Sequence, residues 1–168
     1  MKLIVAAFLL FPLLAAAQDP IAIGCKLNRE TDPYTKETKI STGFIELAAG
    51  SVTVDADSRE IDVFFSLSGV DKCFDNNSMA AIFFEGSKVK MSYRNGGTMN
   101  CDGFFHFIFK NSATIPSLLQ KITTQKIATI TFTGNNKKET KVTLEPNEQL
   151  TLMNLAACLV NEAKILIK

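Results

Sequence analysis

His106 is the only histidine in this 168-residue chain, and there is no tryptophan. Any imidazole chemistry therefore rests on one side chain. The nucleophile nearest to it in sequence is Cys101, five residues upstream, with Gly103 between them to let the chain turn. A thiol beside an imidazole is the minimal arrangement for covalent catalysis. Against that reading, His106 alternates with Phe105 and Phe107 in an apolar run, where a histidine is ordinarily a part-buried side chain with one hydrogen bond. A serine site would need the same His106, and no G-x-S-x-G elbow is present to display the serine. With one histidine, multi-histidine metal centres are excluded. No catalytic residue is assigned, and no metal or cofactor is expected.

The four cysteines carry more information. Cys25, Cys73, Cys101 and Cys158 include no C-x-x-C pair, so neither a redox dithiol nor a zinc knuckle is supported. An even count in an exported chain favours disulfides. Three connectivities are possible. Cys73 with Cys101 is favoured because the two lie in turn-rich segments that flank an expected hairpin. Cys25 with Cys158 would tie the first strand to the last helix, and closing so long a loop is worth ~4 to 5 kcal/mol in the chain-entropy account. The alternative for Cys158 is a small buried thiol within Leu155-Ala156-Ala157-Cys158-Leu159.

Export itself is read from the first eighteen residues. Lys2 precedes an apolar run from Leu3 to Leu14, and Ala15-Ala16-Ala17 stands before Gln18. This is the pattern of a cleaved signal peptide, residues 1–17. Its apolar stretch is shorter than the ~20 residues a membrane-crossing helix needs. No transmembrane span is expected in the mature chain, 18–168, which reads as a single domain destined for the periplasm or the outside of the cell. Without Lys2, 17 basic and 17 acidic residues remain, so no basic field for nucleic acid is left.

Acidic and aromatic clusters were the other candidates. Asp55-Ala56-Asp57 begins like a calcium loop, but Arg59 and Glu60 stand where an oxygen ligand and a glycine are needed; a polar turn is the better reading. Asp71, Asp75, Asn76 and Asn77 read as turn formers too. Asn76-Asn77-Ser78 also fits the short glycosylation pattern. Eleven phenylalanines fall after residue 17. Phe64, Phe65, Phe83, Phe84, Phe105 and Phe107 could line a pocket for a small apolar ligand, with Tyr93, Arg94 and His106 as its polar groups.

The elements that must position these residues follow from hydrophobic period. From Ile21 to Lys110 the pattern is mostly alternating and punctuated by turns, which predicts antiparallel strands. Strands are expected around Phe44 to Leu47, Ser51 to Val54, Ile61 to Leu67, Ala81 to Phe84, Lys88 to Tyr93 and Gly103 to Lys110. Asn95-Gly96-Gly97 is expected to supply positive backbone angles for a tight turn. Pro116-Ser117 then opens a short helix, Lys126 to Thr133 and Glu139 to Leu144 form a hairpin, and Glu145-Pro146 starts a C-terminal helix. On that helix Cys158 falls in the polar arc. The fold class is α+β: an antiparallel sheet or sandwich-like meander, then helix, hairpin and a packing helix.

Cys25 to Lys39, with its Asp32-Pro33-Tyr34-Thr35 segment, resembles the start of small exported bacterial proteins of unknown function. Leu118 to Ile127, the strand pair that follows and the cysteine of the last helix are similar to them as well. The resemblance implies a periplasmic or secreted bacterial location and a Cys25–Cys158 bridge, and carries no activity. The functional expectation is a non-catalytic exported interaction or binding module of unknown specificity. Its partner would be a protein or a small apolar ligand; the alternatives are an apolar-ligand carrier and, behind it, a thiol enzyme using Cys101 and His106.

Overall fold

The structure, a computed structural model, describes residues 25–69 and 72–167. The expected leader and its cleavage point lie outside the described residues, as does Asp71.

Two antiparallel sheets face one another. The first runs in the order β1 (Asn28–Thr31), β2 (Thr38–Ser41), β4 (Gly50–Ala56), β5 (Glu60–Leu67) and β8 (Phe104–Lys110), with β3 (Ile45–Leu47) also paired to β4. The second is ordered β10 (Glu139–Thr143), β9 (Ile127–Thr133), β6 (Met79–Phe84) and β7 (Lys90–Arg94). Helix α1 (Ser117–Thr124) and helix α2 (Pro146–Ala163) complete the α+β architecture, including the C-terminal helix. The hairpin expected near the end is β9–β10, and it builds onto β6 to make the second sheet.

Alternation explains the layers. On β5 and β8, Ile61, Val63, Phe65 and Leu67, and Phe105, Phe107 and Phe109, are buried, while the residues between them look outward. Phe65 and Phe105 of the first sheet meet Phe132 of the second at ring-centroid distances of 5.4 and 5.0 Å, and Phe74 packs on Phe105 at 5.3 Å. These interlocked rings are the centre of the core. Truncating any one of them to alanine should cost ~3 to 5 kcal/mol.

Helix α2 buries Leu152, Ala156, Leu159, Val160 and Ala163, one stripe at helical spacing, against β2, β3, β4 and α1. Its start is fixed by a reciprocal capping box between Glu145 and Glu148. Glu148 also accepts a 2.9 Å bond from the Ala48 amide, so the cap ties the helix to the β3–β4 turn. At the other end, the buried Asn111 amide donates to Asp57 O at 2.7 Å and to Ala163 O at 2.9 Å.

Two expectations need correction. Cys25 precedes β1 and is not part of a strand. Gly96 and Gly97 do not adopt positive φ, and their role is close packing, described below. The disulfides are Cys25–Cys158 and Cys73–Cys101, and no described cysteine is free. Among the described residues no helix is long and apolar enough to cross a membrane.

Candidate functional site: the outer face of the first sheet

His106 sits on the outward side of β8, opposite Phe64 of β5. Two residues along β5, Asp62 reaches it diagonally, and Asp62 Oδ2 lies 2.7 Å from His106 Nδ1. The Phe64 ring packs on the imidazole with centroids 4.7 Å apart. The free edge of β8 is closed by the segment 95–97. Asn95 Oδ1 accepts from the His106 amide at 2.8 Å and from the Gly97 amide at 3.2 Å, and the Gly96 amide donates to His106 O at 3.0 Å. A Cβ on Gly97 would stand 2.5 Å from His106 Cδ2, and one on Gly96 would stand 2.8 Å from Ile108 Cγ1. Glycine is needed at both positions for approach, not for backbone angle.

The other sequence candidates are not gathered around this histidine. Cys101 is held in a disulfide and offers no thiolate. Tyr93 leans across the β8 edge on the core side, with its ring against Phe107 and Phe109 at 5.6 and 4.9 Å and its hydroxyl donating to Ile108 O at 2.6 Å. Burial pushes its phenol above the ordinary range. Arg94, the next residue, projects from the opposite face of β7 and is exposed. The six phenylalanines are divided: Phe65, Phe84, Phe105 and Phe107 are buried in the core, and Phe64 and Phe83 occupy outward positions.

Beside the histidine lies a groove of about 410 Å³ over strands β1, β2, β4 and β5, large enough for a small ligand or an extended side chain. Its floor is set by register. Ser41, Asp55 and Asp62 are directly opposite one another across β2, β4 and β5, so two carboxylates stand side by side on one face. Like charges so placed repel. Thr53 Oγ1 donates to Asp55 Oδ1 at 3.3 Å. Asp62 Oδ1 is buried and accepts no hydrogen bond. Glu30, Asp57 and Glu60 add negative charge, against Lys39 and an Arg29 engaged with Glu162 on α2 at 3.3 Å.

This pairing was missed in the sequence because it depends on the four-residue turn Asp57–Glu60. There Asp57 Oδ1 accepts from the Arg59 and Glu60 amides at 2.7 and 2.9 Å, and the turn brings Asp55 opposite Asp62. The signal was present as two aspartates at polar positions equidistant from the turn. The carboxylates are spread along the groove; among the described residues no three acidic, histidine or cysteine side chains converge as a metal site. Compared with known proteins, the chain matches no family model, no curated protein and no solved structure.

Proposed function

We propose that this protein is an exported, disulfide-stapled binding module that acts without covalent chemistry and holds positively charged groups of its partner in the groove beside His106. The observation that carries the reading is the juxtaposition of Asp55 and Asp62. Two carboxylates opposed across neighbouring strands repel, and an amine or guanidinium placed over them relieves that repulsion. A module of this kind suits a compartment where disulfides persist. The finer placement, in the periplasm or secreted after removal of residues 1–17, belongs to the same proposal.

Two measurements test it. Expressed with its leader, the chain should be recovered outside the cytoplasm with Gln18 at its N-terminus; a retained leader refutes export. Isothermal titration with pentalysine should give binding that weakens in high salt and falls at least tenfold in Asp55→Asn. Binding of equal strength in that variant would remove the groove from the reading. Stabilisation by a long-chain fatty acid, in place of the peptide, would favour the apolar-ligand carrier.

A further inference from the structure

Resting on the reading that the groove takes positive charge, we propose that its partner is a second copy of this chain, docked through the outer face of that copy's second sheet. That face is set by register: Lys90 opposite Phe83 opposite Thr129, Ser92 opposite Ala81 opposite Thr131, and Arg94 opposite Met79 opposite Thr133. Lys141 extends the middle row onto β10. Lys90, Arg94 and Lys141 are exposed, and among the described residues none of them forms an ion pair. Glu139 is the one acidic residue in these rows.

The contrast with the first sheet is large. Its outward positions and the β4–β5 turn carry Glu30, Glu46, Asp55, Asp57, Glu60 and Asp62, against Lys39, Lys110 and an Arg59 paired with Glu37. The core lies between the sheets, so the acidic and basic faces look in opposite directions. A chain with almost no net charge is thus polarised from one face to the other. Two different faces that complement each other make a head-to-tail contact, which repeats without closing, so the product is a short open string of copies and not a symmetric dimer.

The basic face measures roughly 15 Å across its four strands and about 13 Å along them. That is well below the ~800 Å² per partner of a stable complex. The contact is therefore weak, dependent on charge and strongest at low ionic strength.

Sedimentation velocity on the oxidised mature protein tests this, from micromolar to millimolar concentration and at low and high salt. In low salt the weight-average mass should rise with concentration to at least double the monomer value, and high salt should return it to monomer. Lys90→Glu with Arg94→Glu, both at exposed positions, should stay monomeric while keeping the native circular dichroism spectrum. Mixed with an Asp55→Asn, Glu60→Gln chain, it should form pairs that grow no further. A monomer at every concentration in low salt overturns the inference, as does association that survives high salt or the double charge reversal. In the monomer case pentalysine titration separates the two ideas: bound peptide leaves the groove reading standing, and no binding removes both.

Discussion

Asp62 and His106, forty-four residues apart, meet at 2.7 Å on the outward face of β5 and β8, and the carboxylate that orients the imidazole is also opposed by Asp55. The same side chain is thus pulled by one neighbour and pushed by the other. His106→Ala should leave Asp62 with repulsion alone and destabilise the protein by ~1 to 3 kcal/mol. Asp62→Asn keeps a hydrogen-bonding group while removing the repulsion, so its loss should be smaller. Urea unfolding of both variants decides the matter: equal losses would mean that Asp55 has no effect on this pair.

Gly97→Ala should be destabilising although its backbone angle is ordinary, because the new methyl would stand 2.5 Å from the imidazole. We expect ~1 to 3 kcal/mol, the range for overpacking, together with a shifted His106 ring signal in the NMR spectrum. Gly97→Ala with His106→Ala should recover part of the loss. Full additivity of the two changes would show that the glycine serves something other than the ring.

The two disulfides should differ in weight. They close sequence separations of 28 and 133 residues. In the chain-entropy account this corresponds to ~4 and ~5 kcal/mol. Paired serine substitutions, Cys73→Ser with Cys101→Ser and Cys25→Ser with Cys158→Ser, should both lower the urea midpoint, the second more. Peptide mapping without reduction should recover only these two linkages; any cross-pairing contradicts the arrangement.

Alkaline titration should report the burial of Tyr93. Tyr93 is half-buried, and its hydroxyl donates to the Ile108 carbonyl. Ultraviolet absorbance should report a phenol that ionises above the ordinary tyrosine range, and Tyr93→Phe should remove that step. Because the folded phenol has the raised value, its contribution to stability is complete below pH ~10 and is lost as the pH rises through the folded value. At the acid end the sign is reversed. Backbone amides of Thr35 and Tyr34 lower the Asp32 carboxyl, and that of Asn77 lowers Asp75. Their contributions are present above pH ~3.9 and disappear as the pH falls through the folded values. Unfolding at a fixed urea concentration followed against pH checks both limbs.

Much of this fold could be read from pattern. Alternation located β5, β6, β8 and β9 to within a few residues, and Pro116 and Pro146 marked both helix starts. The favoured cysteine pairs are those observed, because Cys158 lies off the buried stripe of α2 and Cys73 and Cys101 sit in facing turns. What pattern could not supply was depth across the sheet. Asn95-Gly96-Gly97 carries the composition of a tight turn, yet its glycines admit a neighbouring strand's side chains, a fact that exists only once β8 is beside them. The groove was illegible for the same reason. Asp55 and Asp62 become neighbours through a turn whose length fixes register, and neither residue alone is unusual in a polar strand position.

The Cys25–Cys158 bond makes most of the described chain a covalent ring. A protease that cuts an exposed turn inside it, such as the one around Asn135 and Asn136, produces a nick and not two molecules. The severed ends remain tethered through sulfur, and the core that spans them can hold its packing. Damage of that kind would go unseen on a gel until a reductant was added, and a binding surface on either outer face would outlast the break.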